Sequence, residues 1–213
     1  MDHYKETFET WNKLASLYEE RFMHLTMYNE TYDLFCKSIE SENPEILEIG
    51  CGPGNITRYL LDKRPDLKIH ATDIAPNMIE LAKKNNPEAE FSIMDCRNID
   101  QIDNKFDGIV CGFCIPFIST EETLKLINDC ANKLKEKGII YLSFVDSDQG
   151  ETGFKSTSTG ERTYFNYHSL TTILTSLRKN YFSQIKTIPV QFKRSESETE
   201  IHTIVVAKKD QTK

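Results

Sequence analysis

The stretch ILEIGCGPGN, residues 46–55, decides how the rest of the chain is read. Ile46, Leu47 and Ile49 form a short apolar run that passes directly into Gly50-x-Gly52-x-Gly54, and a helical pattern begins at once after it. Glycine at these positions lets the backbone turn sharply and lets another molecule approach bare main chain, because a Cβ would obstruct both. A glycine triplet alone is a weak sign. At the end of a first strand and the start of a helix it points to a ligand held at the turn, with a tight strand–helix turn that binds nothing as the alternative.

Downstream, short apolar runs alternate with helical patterns. The spacing predicts strands at Glu45–Ile49, Leu67–Thr72, Glu90–Met94, Phe106–Gly112 and Gly138–Val145, with helices over about 55–63, 76–84 and 120–136. Pro76 suits a first helical position, Ser119-Thr-Glu-Glu122 has capping-box spacing, and Gly138 follows a lysine-rich turn as a helix terminator would. Strands and helices joined this way make right-handed crossovers and a largely parallel sheet covered on both faces. A last helix is expected over 168–180. Tyr181–Phe192 and Glu200–Lys208 then read as an antiparallel hairpin across the polar turn Lys193–Thr199.

Upstream, residues 4–39 read as helix in two pieces. Phe8, Trp11, Leu14, Ala15, Tyr18, Phe22 and Leu25 recur at three- and four-residue steps, and Tyr28, Tyr32, Phe35 and Ile39 continue the stripe until Ser41-Glu-Asn-Pro44. The stretch 146–167 is long and polar for a connector, and it follows a strand end where open α/β sheets bind ligands.

A length of 213 residues suits one domain. A net charge of −7 leaves little to build a basic face, so no nucleic-acid partner is expected. No apolar run is long enough to span a membrane. The opening MDHYKETFETWNK lacks a signal peptide's basic start and apolar core, so a soluble cytoplasmic protein is expected. The six cysteines then read as reduced thiols. Cys111-Gly-Phe-Cys114 has no second knuckle, so no metal site is expected.

Asp73 stands in HATDIAPNM at the end of the second apolar run, 23 residues after Gly50. That is near the ~20-residue spacing of a carboxylate that accepts from adenosine ribose hydroxyls. A role at the nearby helix N-terminus competes with it. Together the turn and Asp73 indicate an adenosine-containing ligand. The triplet is G-x-G-x-G and not the dinucleotide G-x-G-x-x-G, Glu48 precedes it by two positions, Asp95-Cys96 ends the third strand, and a hairpin closes the chain. In these residues the chain resembles the class I S-adenosylmethionine-dependent methyltransferases over roughly residues 10–208.

The resemblance implies a doubly wound, mostly parallel seven-stranded sheet with a C-terminal antiparallel hairpin, and S-adenosyl-L-methionine as cofactor. It implies that Gly50, Gly52 and Gly54 pass beside the cofactor's methionine and ribose, with Glu48 supporting that loop. Asp73 would accept from the ribose, Ile74 and Met78 would flank the adenine, and Asp95 with the Cys96 backbone would meet the adenine amino group. Cys111, Gly112 and Phe113 would line the sulfonium end. Tyr18 resembles a tyrosine that caps the methionine moiety, and a buried helix aromatic is the other reading. Within one domain, residues 1–40 would form a helical lid, 41–145 the cofactor-binding core, 146–167 a substrate loop and 168–213 the last helix and hairpin.

A sulfonium carries its methyl group already activated, so the protein need only hold a nucleophile in line, about 3–3.5 Å from the methyl carbon, away from water. A base is required only where the acceptor is protonated at rest. His168, in TYFNYHS, is the best histidine for that, with a capping or surface role as the alternative. Glu151, Lys155 and Arg162 would orient a charged substrate or stand as solvated loop charges. The N-P-P-[YF] signature of methyltransferases acting on adenine or glutamine amino groups is absent, with Cys114-Ile-Pro-Phe117 in its region. The expected function is methyl transfer to a small molecule. The rivals are a non-catalytic cofactor-binding or partner subunit, an NAD-linked oxidoreductase and a protein-methylating enzyme.

Overall fold

The predicted first strand, β1 (Glu45–Ile49), sits inside a sheet with a strand paired on each side, and every residue of it but Glu45 is buried. The computed structural model describes residues 3–157, 159–194 and 199–211. After β1 come β2 (Lys68–Asp73), β3 (Glu90–Ile93), β4 (Phe106–Gly112), β5 (Leu134–Val145), β6 (Gly153–Ser156), β7 (Arg162–Phe165), β8 (Phe182–Lys193) and β9 (Thr199–Lys209). Seven of them form one sheet in the order β3-β2-β1-β4-β5-β9-β8. β1 to β5 are parallel to one another, and β9 is antiparallel to both β5 and β8. This is the doubly wound sheet with its terminal hairpin. Residues 195–198 of the polar hairpin turn lie outside the described residues.

The helices are α1 (His3–Lys13), α2 (Ala15–Phe22), α3 (Asn29–Ser38), α4 (Asn55–Lys63), α5 (Pro76–Asn85), α6 (Thr120–Lys133) and α7 (Leu170–Lys179). Alternation along each strand divides the core in two. Leu47, Ile109, Ile140 and Val205 face Leu126 and Ile127 of α6 and Ile173 and Leu177 of α7. Ile46, Val110, Tyr141 and Ile204 face Phe35 of α3, Leu60 of α4 and Ile79 of α5. Among the described residues no helix is long and apolar enough to cross a membrane.

Three local expectations need correction. The N-terminal segment is three helices, broken at Leu14 (φ −92°, ψ 11°) and again between Phe22 and Asn29. α6 stops at Lys133, short of Gly138. Leu134 takes extended backbone, pairs with Phe106 and is 1% exposed, so burial in the sheet outweighs the helical preference of Lys-Glu-Lys. The stretch 146–167 is not plain loop either. β6 and β7 pair in it as a small antiparallel sheet, tied to α1 by the Tyr164 N–H donating to Thr7 Oγ1 at 2.9 Å and the Thr10 hydroxyl donating to the Arg162 carbonyl at 2.8 Å.

Candidate active site

The strand order reverses between β1 and β4, and the crevice at such a reversal is where open α/β sheets take ligands. Gly50, Gly52 and Gly54 lie there with φ of 70°, 54° and 84°, the left-handed region that disfavours a side chain. Their surroundings differ. A Cβ at Gly50 would lie 2.8 Å from Cys114 Cβ, and one at Gly54 would lie 2.3 Å from Asn86 Nδ2. One at Gly52 would meet only Tyr18, at 3.6 Å, and would stand in the cleft.

Asp73, at the end of β2, accepts the Gly52 N–H on Oδ2 and the Ala75 N–H on Oδ1, both at 2.9 Å. Asp73 therefore braces the entry to α5 and the glycine turn while it lines the cleft. Burial pushes its carboxyl pKa up, against the pull of those N–H groups. Met78 is buried at the cleft wall, whereas Ile74 is 41% exposed there, a flat apolar surface left open beside Asp73.

Glu48 is fully buried on β1. Its Oε2 accepts from Thr57 Oγ1 at 2.6 Å, while Oε1 has no partner among the described residues. Desolvation pushes its pKa up to about 8, so the group is mostly neutral at neutral pH. Tyr18 is half-buried over the glycine turn, edge-on to Trp11, and burial beside Asp73 lifts its phenol to about 12. The Trp11 Nε1–H is a second buried group without a partner among the described residues.

At the other end of the cleft Asp95 is gripped by Arg97, whose Nε lies 3.0 Å from both carboxylate oxygens and whose Nη2 lies 2.5 Å from Oδ2. Arg97 also reaches Glu122 at 3.2 Å and lies over the Tyr4 ring, and the Tyr4 hydroxyl donates to Glu122. Burial would raise the Asp95 pKa, and Arg97 outweighs it, holding the carboxyl below its usual range. Cys96 lines the cleft between Asp95 and Cys114.

β4 ends in Cys111, buried, then Gly112 and Phe113, and Phe113 has a φ of 53°. Gly112 and Phe113 line both the cleft, of about 140 Å³, and a chamber of about 840 Å³ beyond it. Most of the open space is therefore in the chamber, which Asp73 does not line. Ten Phe, Tyr and Trp side chains line the chamber, joined by Lys155 and Thr163 from β6 and β7. His168 is elsewhere: it is 1% exposed, its Nε2 sits 2.8 Å from the Ile115 carbonyl, and burial lowers its pKa. Its geometry is that of a structural histidine. Glu151 lines neither cavity, and Arg162 pairs with Glu6.

The residues missed from the sequence are Trp11, Arg97 and His202. His202 lines the chamber with Nδ1 2.6 Å from the Tyr28 hydroxyl and Nε2 3.0 Å from Glu200 Oε2. The signal was Glu200-x-His202 in phase with Ile204 and Val206: one face of one strand, apolar and then abruptly ionisable.

Comparison with known proteins now bears on this site. Residues 46–138 match a methyltransferase domain family. The demethylmenaquinone methyltransferase of Thermotoga maritima is 28% identical over 141 residues, 65% of this chain and 61% of that protein. A malonyl-[acyl-carrier protein] O-methyltransferase of Acetivibrio thermocellus is 28% identical over 137 residues, 57% of this chain and 47% of that protein. The chain thus matches about half to three fifths of the length of these relatives. Magnesium protoporphyrin IX methyltransferase of Synechocystis, solved with bound S-adenosylmethionine, superposes with a TM-score of 0.72 at 17% identity, covering 99% of this chain and 98% of that one. Through the methyltransferase domain matched over residues 46–138, the chain is similar to the class I S-adenosylmethionine-dependent methyltransferases.

S-adenosylmethionine is the cofactor of that family. The residues of this chain fit the molecule in three respects. Gly52 leaves open the space that a Cβ would fill, Asp73 has a carboxylate lone pair available on each oxygen, and the buried Trp11 Nε1–H, without a partner among the described residues, lines both cleft and chamber.

Proposed function

We propose that this protein transfers the methyl group of S-adenosylmethionine to a small-molecule acceptor by direct in-line displacement. One observation carries the reading. The carboxylate of Asp73 and the turn at Gly52 form one hydrogen-bonded unit at the floor of a cleft that opens past Phe113 into an aromatic chamber.

In this reading Asp73 receives the ribose hydroxyls, Ile74 and Met78 flank the adenine, and Asp95 with the Cys96 backbone meets its amino group. Gly50, Gly52 and Gly54 lie along the methionine part, Glu48 holds their turn through Thr57, and Tyr18 covers it. Cys111, Gly112 and Phe113 border the sulfonium end. When bound, the cofactor supplies an activated methyl group. The chain then excludes water by closing the N-terminal helices of 1–40 over the cleft, and it orients the acceptor with the small sheet of 146–167. Orientation and exclusion of water together supply the rate enhancement such a transfer needs.

A small acceptor is favoured by the aromatic side chains that line the chamber and by the net charge of −7, which suits a polyanionic partner poorly. We place the protein in the cytoplasm, where its six free cysteines stay reduced.

Calorimetric titration with S-adenosylmethionine, S-adenosylhomocysteine and NAD tests the cofactor. Binding of the first two but not the third is expected, weakened at least tenfold in Asp73→Ala. Binding of NAD alone overturns the reading. Release of S-adenosylhomocysteine against pooled metabolites tests turnover, and methylation of bulk tRNA in place of any metabolite overturns the small-molecule acceptor.

A further inference from the structure

The chamber wall holds an ionisable series that the cofactor reading leaves unused. Tyr28, His202 and Glu200 are 6%, 7% and 8% exposed. They are linked by the 2.6 Å contact between Tyr28 Oη and His202 Nδ1 and the 3.0 Å contact between His202 Nε2 and Glu200. Arg194 closes the series, with Nη2 2.8 Å from the other Glu200 oxygen. Phe192 stacks on the imidazole at 4.6 Å, and Phe113, which lines both chamber and cleft, meets it edge-on at 4.7 Å.

The series is costly as mere packing. Buried polar chains are often no more stable than apolar side chains of the same volume. Further along β9 the same face carries Ile204 and Val206. The change to Glu200 and His202 comes only where the face reaches the chamber. In the tautomer that donates Nε2–H to Glu200, His202 presents its Nδ1 lone pair to the Tyr28 O–H. The Tyr28 oxygen keeps a lone pair for a donor in the chamber. Burial raises the Tyr28 pKa, so it stays a neutral phenol able to accept and donate at once.

We infer that Tyr28, backed by His202 and Glu200, is the proton acceptor for methyl transfer, and that the acceptor is a flat, conjugated molecule bearing a phenolic or enolic hydroxyl. This rests on the methyltransferase reading above. As the acceptor oxygen bonds to the methyl carbon, the carbon–sulfur bond breaks with its electron pair returning to sulfur. The hydroxyl proton passes to Tyr28 Oη, the Tyr28 proton passes to His202 Nδ1, and the imidazolium is held by Glu200 until water takes the proton when product leaves. Tyr28 is the catalytic residue; His202 and Glu200 are positioning residues. A carboxylate, thiolate or tertiary amine acceptor would need none of them.

The test uses para-substituted phenols of graded acidity, from para-nitrophenol to para-methoxyphenol, with Tyr28→Phe, His202→Gln and Glu200→Gln. The wild type should methylate across the series. Tyr28→Phe and His202→Gln should lose about a hundredfold in kcat for the weakly acidic members, with KM little changed and the loss shrinking toward para-nitrophenol. A second readout needs no turnover. Para-nitrophenol bound to the wild type should show phenolate absorbance at a pH where the free probe is protonated, and Tyr28→Phe should lose it. Equal losses for all phenols, unchanged kcat in the variants, or no turnover of any phenol by a wild type that binds S-adenosylmethionine overturns the inference. Failure to bind S-adenosylmethionine by calorimetry overturns the methyltransferase reading itself. Should one variant not fold, another member of the series carries the same comparison.

Discussion

Asp73 Oδ2 accepts the Gly52 backbone N–H at 2.9 Å, so the carboxylate that lines the cleft also holds the turn that forms its floor. Binding and local structure are therefore coupled at this residue. Asp73→Ala leaves the N–H groups of Gly52 and Ala75 without their acceptor and should cost about 1–3 kcal/mol of stability, besides weakening S-adenosylmethionine at least tenfold. Asp73→Asn keeps one carbonyl for Ala75 but presents an NH₂ to the Gly52 N–H, so it should lose as much affinity with a smaller loss of Tm. Calorimetry and thermal unfolding on both variants separate the two effects.

Glu48 gives a dependence on pH with a definite sign. Its pKa is raised by burial from 4.5 to about 8, so between those values the folded chain keeps a proton that the unfolded chain releases. Stability contributed by this group is full below about 4.5 and is lost as pH rises toward about 8. Glu48→Gln removes the titration while still accepting from Thr57. Its Tm relative to wild type should climb steadily across that window, as a melting series in matched buffers would show.

What could be read from sequence divides by range. Gly50 to Gly54 and the bounds of α4 were legible because strand end, turn and helix start are neighbours in the chain. The place of Asp73 beside that turn was legible for the same reason, its distance being fixed by one crossover. His202 was not, because its meaning depends on β9 lying between β5 and β8, more than a hundred residues from the glycines. Arg97 is a nearer miss: two residues from Asp95 in a tight turn, it could have been read as that carboxylate's partner. The start of β5 was hidden because Leu134 pairs with Phe106, a contact no local preference reports.

Arg97 ties the N-terminal helix to the Asp95 end of the cleft through Asp95, Glu122 and the Tyr4 ring. The pairs are partly exposed, so Arg97→Ala should reduce global stability by no more than about 1 kcal/mol. Its effect should fall on closure: faster release of S-adenosylmethionine in stopped-flow, and earlier proteolytic cutting within α1. Burial raises the Glu122 pKa, but the hydroxyls of Tyr4 and Ser119 outweigh it and hold the carboxyl at about 2. Because that value is depressed, the stability from Glu122 is present above its ordinary 4.5 and is lost only as pH falls toward about 2. The contacts to α1 should therefore persist through mild acid, as proteolysis at lowered pH would register.

The glycines themselves offer a sharper separation of folding from binding. Both Gly52 and Gly54 have positive φ, so alanine at either costs about 1–2 kcal/mol in backbone strain. At Gly54 the added Cβ also meets Asn86 Nδ2 at 2.3 Å, and Asn86 is fully buried, bonded to the Gly54 carbonyl at 3.0 Å. At Gly52 the nearest atom is Tyr18 Cε1 at 3.6 Å, ordinary contact, and the methyl group enters the cleft. Gly54→Ala should therefore lower Tm the more of the two. Gly52→Ala should keep most of its Tm yet lose S-adenosylmethionine affinity by at least tenfold, since the methyl occupies space the cofactor needs. Thermal unfolding beside calorimetry on the pair reads both, and a Gly52→Ala protein that binds like wild type would remove this turn from the cofactor site.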